Sequence, residues 1–109
     1  MTRDLGLEEV VNDELRDEAW ISGRAMFGGW AWMADGNLLC AARHDGMLVR
    51  LGKGREGWAL ALDGIEPMRN GGRPMTGWVW VSPERCAQDA VRRRLLDAAL
   101  AFVKTLPPK

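Results

Sequence analysis

The sequence predicts an α+β fold in two layers: one antiparallel sheet of five to six strands, with helices mainly on one face. Two observations carry that prediction. Apolar residues recur at helical spacing near both ends of the chain and briefly in its middle. Between these stretches lie short runs rich in Trp, Val, Met and Leu, separated by Asp-Gly and Gly-Gly turn formers. Strands gathered apart from helices argue against the parallel sheet of an alternating α/β chain.

The elements follow in order. Leu7, Val10, Val11 and Leu15 share one helical face, and Asp4 is placed to accept from the free amides of that helix's first turn. Four strands are then expected: Trp20 to Phe27, Trp30 to Met33, Leu38 to Arg43 and Met47 to Leu51. "ADGN" and "HDG" join the later ones, because Asp-Gly tolerates the positive φ of tight hairpin turns. Met26 and Phe27 read as strand residues filling core space, and Gly28-Gly29 as the bend that sets the face of Trp30. Arg55 to Leu62 reads as a short helix, and Ile65 to Arg69 as an edge strand because it holds Pro67. "RNGGRPMTG" reads as a loop and "WVWV", Trp78 to Val81, as the last strand. Ser82 is a good N-cap with Pro83 at the first helical position, and Asp89 is expected to cap a second start. The final stripe runs Val91, Leu95, Ala98, Ala99, Phe102, Val103 and Leu106.

The whole chain, residues 1–109, reads as a single domain, long enough to bury a core without the staples needed below about 40 residues. Fifteen basic side chains balance fifteen acidic ones, which argues against direct nucleic-acid binding and against electrostatic docking on a membrane. No apolar run approaches the roughly 18 residues of a membrane span. Acidic residues near the N-terminus replace the apolar stretch of an export signal. Cys40 and Cys86 form no Cys-x-x-Cys motif, so two reduced thiols in a cytoplasmic protein are expected.

No P-loop, Gly-x-Gly-x-x-Gly, His-Glu-x-x-His or Gly-x-Ser-x-Gly pattern occurs. His44 and Asp45 sit in a turn and read as solvent-exposed. Cys86 follows Pro83 closely and reads as an inert, partly buried cysteine; because a helix N-terminus lowers a thiol pKa, it is also the single candidate nucleophile. Arg92, Arg93 and Arg94 read as a solvated helix face. The six tryptophans, with no tyrosine, are the unusual feature. Trp30 and Trp32 share one sheet face, as do Trp78 and Trp80. On neighbouring strands the four indoles would form one continuous surface, with Val79 and Val81 turned to the helices. The competing reading makes the indoles the core layer beneath those helices. Arg24, Arg50 and the "GGRP" amides with Arg73 would serve an anion if they converge. No metal site and no cofactor are expected.

The segments "RAMFGG", "DGNLLCAA", "MLVRLG", "GGRPMTGWVWV" and "ALAFVKTLPPK" together resemble, in order, the N-terminal domain of the TfoX/Sxy family. The resemblance spans nearly the whole chain. It implies a secretion-chaperone-like fold, an antiparallel sheet flanked by helices. It also implies a single-domain member, without the second, helical domain that competence regulators carry after this one. Those regulators act with the cyclic-AMP receptor protein at promoters. Some relatives carry an RNA-methyltransferase label, but no glycine-rich loop here is placed to hold S-adenosylmethionine. The expected function is therefore a non-enzymatic cytoplasmic protein-interaction domain linked to transcriptional or competence regulation. The partner is a protein or a second copy in a homodimer. The alternative is a small-molecule or anion binder built on Trp30, Trp32, Trp78, Trp80, Arg24, Arg50 and Arg73. An enzyme is the third reading.

Overall fold

The computed structural model describes residues 4–26 and 28–108. Phe27, expected to close the first strand, lies outside the described residues. The fold is α+β, with a six-stranded antiparallel sheet and its helices on one face.

Helix α1 (Leu5–Leu15) starts where its cap predicts: the Leu7 amide donates to Asp4 Oδ1 at 3.0 Å. Strands β1 (Ile21–Met26), β2 (Gly29–Ala34), β3 (Asn37–Arg43) and β4 (Gly46–Arg50) form the expected meander. The β2–β3 turn is Asp35-Gly36, at φ 51° and 83°, the two positive values a twisted two-residue hairpin needs. The β3–β4 turn differs from expectation. Arg43 pairs with Gly46, so His44-Asp45 makes the reversal and Gly46 is already in the strand.

Helix α2 (Gly57–Leu60) is a single turn, shorter than predicted. It leads to β5 (Ile65–Asn70) and β6 (Arg73–Val81). "RNGGRPMTG" is thus not a loop. Gly71 and Gly72, at φ 61° and 86°, turn a hairpin whose return strand begins at Arg73. The glycine cluster hid a strand because Gly71 and Gly72 are confined to the turn, while Pro74 pairs with Arg69 on edge strand β5 and Gly77, at φ 92°, lies where β6 is irregular opposite Pro67 and Arg69. There the Glu56 carboxylate accepts from the Gly77 amide at 2.6 Å, pinning α2 to β6. Helix α3 (Pro83–Cys86) is capped by Ser82 as expected. Helix α4 (Asp89–Val103) begins one residue earlier than predicted: Gln88 is at the cap position, and Asp89, inside the first turn, holds Arg92.

The sheet order is β1-β2-β3-β4-β6-β5. Beneath the helices the main core takes Trp32, Ala42, Met47, Val49, Val79 and Val81 from the sheet, with Val11, Leu15, Leu95, Leu96, Ala99 and Val103 from the helices. A bulge in β3 adds to it. Trp32 faces Cys40 and Met33 faces Leu38, which leaves Leu39 as an extra residue, and both Leu39 and Cys40 enter the core.

Candidate functional site

Two of the four predicted tryptophans belong to the core side. Trp32 is 2% exposed, and its indole N–H donates to Asn12 Oδ1 on α1 at 2.7 Å. Trp30, half-buried, packs against the same core and lies over Gly23 of the edge strand. Trp78 and Trp80 are half-buried on the opposite, helix-free face. The four therefore form no continuous surface. Strand β6 neighbours β4, not β2, and the parity of the two strands differs. Val79 and Val81 face the helices, as the surface reading has it, while Trp30 and Trp32 follow the core reading.

The arginines are also separated. Arg24 is on edge strand β1 and Arg50 on β4, three strand spacings or about 14 Å apart. Arg73 is exposed beside the β5–β6 turn, at the far end of β6 from Trp78. No common anion seat arises from the three. Two guanidinia on the sheet stand over aromatic rings instead. Arg50 stands 5.0 Å from the Trp78 ring centre and 5.4 Å from that of Phe102. Arg43, which sequence reasoning passed over, stands 4.9 Å from Trp80 while its Nη2 meets Asp45 Oδ2 at 2.7 Å. That hydrogen bond is the main reason the Asp45 carboxyl is held below the usual range.

What the structure does assemble is the helix-free face itself. Ala31, Ala41 and Leu48 form its floor, surrounded by Met26, Leu38, Met68, Trp78 and Trp80. One row crosses all six strands in register: Arg24, Ala31, Ala41, Leu48, Trp80, Glu66. A small cavity of about 60 Å³ opens on this row, lined by Ala41, Arg43, Leu48, Met68 and Trp80. The signal for this face lay in β4 and β6, which put Leu48, Trp78 and Trp80 at outward positions where a solvated face would be polar.

The reactive groups behave otherwise. Cys86 is buried, and desolvation pushes its thiol up to about 12, which agrees with the reading of an inert cysteine and not with that of a nucleophile. Helix α3 is a single turn, too short to offset burial. Cys40 is fully buried and its thiol is pushed up as well, first by burial. Ellman's reagent at pH 8 is therefore expected to titrate neither thiol in the folded protein and both in denaturant; fast labelling of the native chain would contradict the buried placement. His44 is exposed, as predicted. Arg92 is not a solvated residue: it is 4% exposed and gives three hydrogen bonds, to Glu14, Cys86 and Asp89. A cavity of about 260 Å³ between α1 and the α3–α4 pair touches it, but its guanidinium is already committed to those partners. Among the described residues no cluster of three metal-ligating side chains occurs, and no helix is long and apolar enough to cross a membrane. Compared with protein-family models, curated proteins and solved structures, the chain matches none.

Proposed function

We propose that this chain is a protein-interaction domain that works through the helix-free face of its sheet. The observation carrying this reading is that face: a floor of Ala31, Ala41 and Leu48 ringed by Met26, Leu38, Met68 and two tryptophans. The floor is buried and the rim of large apolar side chains half-buried, so the rim is what a partner would touch. Tryptophan and arginine are also the residue types that dominate binding energy at protein interfaces. Arg43 over Trp80 and Arg50 over Trp78 hold the rings in place, which reduces the ordering cost of contact. The likeness of its motifs to the TfoX/Sxy N-terminal domain supports placing this contact in bacterial transcriptional regulation, in the cytoplasm and without a catalytic step.

A photo-crosslinking amino acid placed at Met68 tests the reading in living cells. We expect adducts from that position and none from Arg93 or Asp97, exposed on α4. Adducts formed only from the helix layer would sink it.

A further inference from the structure

The geometry points to a second interaction surface, independent of the helix-free face. It is the open edge of β1, which takes the same strand of a second copy of this chain in antiparallel pairing, with Gly23 on the two-fold axis. The two edges of the sheet differ. Strand β5 carries Pro67, which has no N–H to offer, and an irregular register, and both blunt an edge. Strand β1 has neither, and it pairs with β2 through an unbroken register from Ile21 to Met26. Residues 22 to 25 are exposed, so no helix covers them. Met26 and Gly29 close a two-residue connection, which turns their backbone groups toward each other. Alternation then commits the backbone groups of Ser22 and Arg24 to β2 and turns those of Ile21, Gly23 and Ala25 to the open side. The Ile21 N–H agrees with this parity, since it donates outside the sheet, to the Glu18 carbonyl at 3.0 Å.

A two-fold normal to the sheet keeps both helix layers on one side, so residues that face each other must point to the same side. With Gly23 on the axis, the two Gly23 residues exchange both of their bonds, and each Ala25 N–H donates to the Ile21 carbonyl of the other copy. With Arg24 on the axis, two guanidinia stand directly opposite, which like charge disfavours. Moving the axis to Ser22 or Ala25 shortens the ladder. In the Gly23 register each Arg24 lies opposite Ser22 instead. The two arginines are then left on a diagonal, about 7–8 Å apart at their backbones, with their ends directed to solvent. Trp30 adds side-chain contact. Its ring lies against Gly23 on the helix side, where any Cβ would overlap it. Bonded antiparallel residues stand about 5.5 Å apart. The two rings therefore meet across the axis at close to the roughly 4.5–7 Å spacing of an aromatic pair, and a half-buried indole gains a cover.

Sedimentation of the full chain across micromolar concentrations, with Ala25→Pro beside the parent, tests the inference. The parent is expected to dimerise. Proline at this position removes an N–H that faces the open edge and takes no part in pairing with β2. The variant is expected to keep the parent's circular dichroism and to raise the dissociation constant about tenfold or more. Hydrogen exchange reads the same alternation without a substitution. Raising the concentration is expected to protect the Gly23 and Ala25 amides, while those of Ser22 and Arg24 are protected throughout. The register has its own test, since the native Cys40 and Cys86 are buried. Ser22→Cys and Arg24→Cys chains, mixed under mild oxidation, are expected to crosslink to each other far faster than either does to itself, because opposite residues lie within disulfide reach and diagonal ones do not. A parent that stays monomeric to several hundred micromolar overturns the inference. So does a dimer that ignores Ala25→Pro, one whose Gly23 and Ala25 amides exchange as fast as in the monomer, or one in which Ser22→Cys prefers to crosslink with itself. A chain that dimerises in this way but gives no adduct from Met68 keeps this surface and loses the helix-free one; an adduct on a monomeric chain does the reverse.

Discussion

Replacing Arg92 with methionine is expected to lower stability by about 3–5 kcal/mol, a large part of the roughly 5–15 kcal/mol that holds a domain of this size together. The side chain is 5% exposed and its Nε donates to Glu14 Oε1 at 2.7 Å. Nη1 donates to the Cys86 carbonyl at 2.7 Å and Nη2 to Asp89 Oδ1 at 2.6 Å. One guanidinium thus ties α1, α3 and the first turn of α4. Without it the Glu14 carboxylate, 14% exposed and with Oε2 already lacking a partner, loses its counter-charge in a place that water barely reaches. The loss comes mainly from that stranded charge, so Glu14→Leu combined with Arg92→Met is expected to recover most of it. Arg92→Lys is expected to recover little, because an ammonium cannot span three acceptors in a fixed fork. Urea midpoints for the two single variants and the pair decide the matter; additive losses would show that the two residues do not act together. Arg92 also holds the exposed Asp89 carboxyl below its usual range. That link is at full strength above the ordinary carboxylate pKa and fades as pH falls through the lowered one.

Gly29→Ala is expected to cost about 3 kcal/mol and Gly28→Ala about 1–2 kcal/mol, although the two glycines are adjacent. Gly28 has φ 73° and open space around it, so alanine there meets only the penalty of the left-handed backbone. Gly29 pairs with Met26 in the sheet, and a Cβ on it would fall well inside contact distance of the Ala42 carbonyl oxygen. Backbone cannot give as a flexible side chain does, so β2 and β3 would have to part. Thermal or urea unfolding of both variants gives the ordering; a larger loss at Gly28 would make the turn, not the strand contact, the reason for this glycine pair.

The sequence showed the fold wherever chemistry is local. Asp4 and Ser82 cap helices, and Asp35-Gly36 reverses a hairpin, because each acts within a few residues of itself. Alternation correctly put Val79 and Val81 on one face and Trp78 and Trp80 on the other. What stayed hidden depends on neighbours distant in the chain. Alternation says which residues of one strand share a face. It does not say whether that face coincides with the face of a strand elsewhere, so the two tryptophan pairs landed on opposite sides. The outward row was invisible for the same reason, since it needs five registers at once. Arg92 looked like one of three surface arginines, yet Arg92, Leu95, Leu96, Ala99 and Val103 recur at helical spacing on the buried side of α4. Its position in that stripe, with Asp89 three residues before it, was the signal available.

The tie between Glu14 and Arg92 joins residues 78 positions apart. On the ribosome, α1 emerges first, but the helix it docks against comes after all six strands. Until then its apolar face of Leu7, Val11 and Leu15 has no finished surface to cover it. The β1–β4 meander, whose neighbours are also consecutive in sequence, is free to pair early, whereas the helical layer closes in a late step that must bring together the two ends of the domain. Folding speed should therefore be governed by that closure, and the nascent chain is most exposed to proteases and chaperones in the interval before α4 arrives.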